Sequence, residues 1–250
     1  MDLSAEFTAS IYRRTFRITV EARSRNEQGG INITEHTGTG FCFAVLSKSR
    51  RGLVATARHV LTDVPENSDL LIRFERFTEE DKLDSIASIK SKTDATDRPF
   101  GFYKFSDVGY IYLPVEDDAN RPLFGNTEMG LPVLAENKRI IAGSWLGWAG
   151  FPSQVEALLS HPQLCFFQGT LSAFGRRTDH EGHAYYIVDG HAAPGVSGGP
   201  VWAISDTGRM EVAGIVSTFY GKSPDSSDPQ IPGFCCFEPI NPLIARLKNM

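Results

Sequence analysis

Apolar residues in this chain come in short bursts cut apart by glycine and proline, and that pattern removes most folds from consideration. The bursts are Phe16–Val20, Gly40–Leu46, Gly52–Ala57, Leu70–Phe74, Val108–Val115, Ile140–Ala149, Leu164–Leu171, Ala184–Val188, Val201–Ile204, Val212–Tyr220 and Phe234–Phe237. Many alternate in polarity or are rich in β-branched and aromatic side chains, as strands packed on one face are. The 23 glycines and 14 prolines fall largely between them, where turns form. Helical periodicity is confined to two stretches. Ser153–Leu159 is one, with Ser153 placed as an N-cap. The tail Asn241–Met250 is the other, where Leu243, Ile244 and Leu247 share a face and Lys248 lies near the negative end of the helix dipole. Many short strands and few helices predict an all-β sandwich or barrels. The polar, Pro/Gly-rich stretch between Val115 and Lys138 reads as the connection between two β halves. Gly221–Pro232 reads as a turn-rich surface loop.

Charge and cysteine usage narrow the function. With 25 Lys+Arg against 30 Asp+Glu the net charge is −5, which disfavours a nucleic-acid partner. No apolar run approaches the roughly 18 residues of a membrane span, so no membrane partner is expected. The opening MDLSAEFTAS lacks the basic and apolar regions of a secretory signal. The four cysteines, Cys42, Cys165, Cys235 and Cys236, have neither the spacing of a disulfide framework nor that of a metal site, and each sits among apolar neighbours. Together these features predict a cytoplasmic protein without metal or cofactor.

Gly195-Val196-Ser197-Gly198-Gly199-Pro200 carries the chemistry. Its serine lies in backbone stripped of side chains, and Gly195 lets the main chain approach a substrate carbonyl closely. The N–H groups of Gly195 and Ser197 are then candidates for an oxyanion hole. A tight turn before a strand is the alternative. The G-x-S-x-G core also occurs at the nucleophile elbow of α/β-hydrolases, but that fold needs a histidine after its serine, and the last histidine here is His191. The base must therefore come from upstream. Of the six histidines, His59 stands out because it follows a strand of small residues, Leu53-Val54-Ala55-Thr56-Ala57, that leave room for its ring to face a substrate.

Thr56-Ala57-Arg58-His59-Val60 resembles the T-A-x-H segment of trypsin-like proteases. Gly38-Thr39-Gly40-Phe41 is similar to the strand before it, and Phe105-Ser106-Asp107-Val108-Gly109-Tyr110-Ile111 to the strand entry carrying the family's aspartate. Gly195–Pro200 resembles the serine motif, and Gly214-Ile215-Val216-Ser217 and Pro232-Gly233-Phe234 resemble the two strands that follow. The order His59, Asp107, Ser197 is that of chymotrypsin. The flavour is bacterial HtrA-like, without a PDZ segment. The resemblance implies two antiparallel six-stranded β-barrels and a short C-terminal helix. Residues 1–117 would form the barrel carrying His59 and Asp107, 118–137 the connection, and 138–250 the barrel carrying Ser197. It implies a serine endopeptidase acting on peptides or proteins. Ser197 would be the nucleophile, His59 the base and Asp107 its orienter, with Asp94 and Asp97 as lesser candidates for the acid. Two rival readings are a silent peptide-binding module and an effector protease switched on by a protein partner.

The chain departs from the family in places. Val196 stands where digestive relatives carry an acid that pairs with a freed N-terminus, so activity is expected without N-terminal cleavage. The implied specificity pocket is walled by His191, Ala192, Ser217, Thr218, Phe219 and Gly233. Phe219 at its entrance favours small or apolar side chains and a protonated His191 an acidic one, while a structural role for His191 stays open. The backbone of Ser217–Phe219 is expected to pair with substrate as an added strand. Three other signals are discounted. His180-Glu181-Gly182-His183 has the wrong spacing for a zinc helix and reads as a polar hairpin tip. Gly221-Lys222-Ser223 lacks the leading glycine of a phosphate loop. Arg13, Arg14 and Arg17 read as a solvated strand face.

Overall fold

The structure is a computed structural model. It describes residues 5–46, 49–77, 83–116, 122–124, 131–134, 140–176, 184–219 and 233–250. The His180–His183 motif, Gly221–Ser223, the whole Gly221–Pro232 loop and much of the 118–137 connection lie outside the described residues.

A helix α1 (Ala5–Arg14) leads into β1 (Thr15–Arg25), β2 (Ile31–Leu46) and β3 (Arg51–Ala57). A single turn, α2 (Arg58–Thr62), follows, then β4 (Asp69–Phe77), β5 (Leu83–Lys92), β6 (Phe100–Phe102) and β7 (Val108–Pro114). These seven strands form one antiparallel sheet in the order β5-β4-β1-β2-β3-β7-β6. The second half runs β8 (Trp145–Gly150), α3 (Ser153–Leu159), β9 (Cys165–Arg176), β10 (Ala184–Asp189), β11 (Pro200–Ile204), β12 (Met210–Phe219), β13 (Phe234–Pro239) and α4 (Asn241–Lys248). Its six strands close as a barrel in the order β10-β13-β12-β11-β8-β9. The fold is the predicted all-β, chymotrypsin-like one, and the second half is the predicted six-stranded barrel. The first half instead curls as a seven-stranded half-barrel, because β5 and β6 add to its two ends without pairing with each other. β6 is only three residues long, and β5 is largely polar, carrying Ser85, Ser88, Lys90, Ser91 and Lys92 among its ten residues.

Each half has its own core. Phe16, Ile18, Val20, Ile72, Phe74, Ile111 and Leu113 fill the sheet, and Leu123 and Phe124 of the connection are buried beside them. Leu146, Trp148, Val188, Val196, Val201 and Phe237 fill the barrel. A third cluster joins the halves: Phe41, Phe43 and Leu53 from the sheet, Trp202 and Ile215 from the barrel, Phe7 and Ile11 from α1 and Leu243 from α4. Phe7 meets the Trp202 ring edge-on, with centroids 5.5 Å apart. Burial of such rings is the main stabilising term for each element.

The basic cluster is not a solvated strand face. Arg13 and Arg14 close α1, and Arg17 is three-quarters or more shielded between two acids. Its guanidinium binds Glu75 of β4 at 2.7 Å and both carboxylate oxygens of Glu156 of α3 at 3.0 Å, linking sheet to barrel.

Candidate active site

His59 is placed by strand pairing and by the Asp107 carboxylate. β3 pairs with β7 in a register that brings Ala57 opposite Val108, so the residue after β3 and the residue before β7 meet. The Arg58 N–H donates to the Asp107 carbonyl at 3.0 Å, and the His59 N–H donates to Asp107 Oδ1, also at 3.0 Å. His59 Nδ1 then lies 2.8 Å from Asp107 Oδ2. An ionised carboxylate accepts only, so this contact puts the imidazole proton on Nδ1 and leaves Nε2 to act as a base. His59 thus sits on the one-turn helix α2 that directly follows β3.

Asp107 is held by a further partner that the sequence did not reveal in this role. Ser217 Oγ donates to Oδ2 at 2.6 Å. Burial works against ionisation of Asp107 and is the strongest single influence. The hydrogen bonds and charge of His59 and the Ser217 hydroxyl outweigh it and hold the carboxyl below the usual aspartate range. Asp94 and Asp97 stand in the turn between β5 and β6, away from this contact.

Ser197 comes from the barrel, on a turn that only glycine can make. Gly195 and Gly198 have φ of +92° and +91°. A Cβ on Gly195 would stand 2.2 Å from the Phe151 carbonyl oxygen, and one on Gly198 1.9 Å from that of Thr39. The Ser197 carbonyl accepts the Thr39 N–H at 2.7 Å, and the Gly198 N–H donates to Val216 at 2.7 Å. Ser197 Oγ donates to the Ser217 carbonyl at 3.1 Å. Ser217 therefore touches Ser197 through its carbonyl and Asp107 through its hydroxyl, which gathers Ser197, Asp107 and His59 into one cluster drawn from both halves. Among the described residues the Gly195 and Ser197 N–H groups donate to no protein acceptor.

The Gly195 loop is braced from three sides. Thr39, fully buried, donates its hydroxyl to the Gly195 carbonyl at 2.7 Å and accepts the Phe151 N–H at 3.1 Å. Ser153 N–H and Oγ both reach the Pro194 carbonyl, at 2.9 and 3.2 Å. That hydroxyl braces the loop and does not cap α3, whose N-cap is Pro152. Val196 is wholly buried among Trp148, Leu171 and Val188.

The predicted pocket residues are partly gathered here. His191 is exposed, and its carbonyl accepts the Trp148 indole N–H at 3.1 Å. Ala192 packs half-buried on the barrel core. The Gly233 carbonyl accepts the Gly190 N–H at 2.6 Å, at a φ of +90°. Ser217 and Thr218 fall in a register shift of the β12–β13 ladder between Val216 and Phe219. The side chains of Thr218 and Phe219 lie outside the described residues. None of the four cysteines is in a disulfide, and burial pushes the Cys42 and Cys235 thiols up to about 12.

The sequence model of the trypsin-like peptidase domain matches residues 38–215. No curated protein matches. Among solved structures, the HtrA-type protease AlgW with tripeptide is similar at a TM-score of 0.58 and 13% identity, covering 99% of this chain. Its AlgWS227A form with tripeptide is similar at 0.58 and 12%. The chain spans 63% of the length of each, and at this identity the likeness is one of fold.

Proposed function

Because the chain belongs to the trypsin-like peptidase family, we propose that it is a serine endopeptidase working through Ser197, His59 and Asp107. The observation that carries the reading is the pairing of His59 Nδ1 with the Asp107 carboxylate at 2.8 Å, one residue, Ser217, away from the Ser197 hydroxyl. Ser197 Oγ attacks the carbonyl carbon of the scissile bond as His59 Nε2 takes its proton. The carbonyl oxygen becomes an oxyanion facing the N–H groups of Gly195 and Ser197. His59 passes the proton to the departing amine, the C–N bond breaks and an acyl-serine remains. Water deprotonated by the same imidazole releases the acid and restores Ser197. Asp107 keeps the ring in the required tautomer and stabilises the imidazolium. Four cysteines outside any disulfide support a reducing, cytoplasmic setting.

Two measurements test the reading. A fluorophosphonate probe should label Ser197, since reaction requires an activated hydroxyl. Ser197→Ala should abolish labelling and lower kcat on a cleaved peptide by about 10⁶. A Ser197→Ala protein that cleaved at the wild-type rate would refute it.

A further inference from the structure

Beside His59 and Asp107 the surface gathers cations that the proposed chemistry does not use. Arg58 directly precedes His59. Lys104 lies three residues before Asp107, and the Arg58 guanidinium donates to its carbonyl at 2.9 Å. Arg98 joins them from the turn before β6, donating to the Thr93 carbonyl at 3.2 Å. Two guanidiniums share one ring: Arg58 Cζ and Arg98 Cζ each stand 4.9 Å from the Phe102 centroid. Arg98 also lies 5.1 Å from the Phe100 centroid, and Lys104 Nζ 5.1 Å from that of Phe105.

Among the described residues none of the three is ion-paired, although Asp94 and Asp97 belong to the same turn region and acids outnumber bases in the chain. Arg17, Arg23, Arg50 and Arg73, by contrast, each have a carboxylate partner. Like charges held together repel, and aromatic faces compensate only in part. Each guanidinium carries five N–H donors in a planar fork that fits a carboxylate, and one hydrogen bond to a carbonyl leaves most of them unspent.

We propose that Arg58, Arg98 and Lys104 form a subsite for an Asp or Glu side chain of the substrate, within a few residues of the scissile bond. The inference rests on the serine endopeptidase reading and adds a substrate class to it: peptides acidic on the flank of the cleft next to His59. The carboxylate supplies the counter-charge that no acid among the described residues provides, and Phe102 keeps both guanidiniums in place before it arrives.

The test is a fluorogenic peptide library in which each position around the cleavable bond is fixed in turn as Glu or as its neutral isostere Gln. The wild-type protein should cleave the Glu pool about fivefold faster in kcat/KM at one or two positions, the size of a partly exposed ion pair. The preference should shrink as salt is raised, because exposed charges are screened. It should fall towards one in Arg98→Gln/Lys104→Gln, whose changes stand apart from the His59 turn, and in Arg58→Gln. A wild-type protein indifferent to Glu against Gln at every position overturns the inference, and so does a preference that survives these substitutions. If the wild-type protein cleaves no pool, the endopeptidase reading fails. The subsite is then judged from binding of the same Glu and Gln pools to Ser197→Ala, where equal affinity overturns it and a Glu preference lost in Arg98→Gln/Lys104→Gln sustains it.

Discussion

The two halves hold their share of the site by different means. In the sheet, His59 and Asp107 are fixed by side-chain hydrogen bonds: Asp107 receives the His59 ring, the His59 N–H and the Ser217 hydroxyl. In the barrel, Ser197 is fixed by main chain packed so closely that a methyl group on Gly195, Gly198 or Gly199 would fall within 2.2 Å of a carbonyl oxygen. The half that closes on itself positions its residue by steric exclusion. The half left open does so by polar contacts that can be removed one at a time. Damage to the barrel side should cost much of the fold together with the chemistry, and damage to the sheet side chiefly the chemistry, with a smaller loss of stability.

Gly198→Ala gives the largest expected effect. Its Cβ meets backbone, which cannot yield as a side chain would, and the loss should exceed about 4 kcal/mol. Urea unfolding and probe labelling should fail together; a folded, active variant would break the contrast. Asp107→Asn should lower kcat by about 10⁴ while the protein stays folded. Its stability should also respond to acid in a set direction. The native carboxyl is held below its unfolded value of about 3.9, so ionised Asp107 stabilises the fold above that pH, and the contribution is lost as pH falls through the lowered value. The stability gap between wild type and Asp107→Asn, measured by urea titration, should therefore narrow below about pH 4.

Thr39→Val tests where the two means meet. It keeps the shape but leaves the buried Gly195 carbonyl without the Thr39 hydroxyl, at about 1–3 kcal/mol, and removes the Thr39 acceptor of the Phe151 N–H. kcat should drop more than KM rises, since the loop it braces carries the Gly195 N–H proposed to hold the oxyanion. The smallest effect belongs to Arg17→Met. It removes the tie between the sheet and Glu156 of α3, the helix whose first residue holds Pro194. A partly exposed network of this kind is worth about 1 kcal/mol, so a few-fold loss of kcat is expected with little change in Tm. Equal losses of kcat and stability in either variant would blur the distinction between the halves.

The sequence made some of this legible. The strand runs, the α3 span and the order of His59, Asp107 and Ser197 could be read because each rests on local pattern: alternation, periodicity or an unusual glycine cluster. The other parts depend on distant partners. α1 carries Phe7 and Ile11 one turn apart, a usable signal, but its other residues are mixed, and what makes it a helix is the Trp202 ring waiting in the barrel. β5 is half polar and exists because β4 offers it a ladder. The first half of β2 is rich in Thr and Asn and is drawn out by pairing with β1. The contact of Ser217 with Asp107 spans 110 residues, and no spacing rule foretells it. Arg17 looked like a solvated charge because its two acids lie far along the chain.

Val196 has a consequence of its own. An apolar anchor under the Gly195–Ser197 loop carries no charge, so neither ionic strength nor proton concentration can loosen it directly. Its grip comes from water's reluctance to solvate hydrocarbon, which fades on cooling. The loop should hold through salt and mild acid yet slacken near the freezing point, where the proposed cleavage would slow while the protein stays folded.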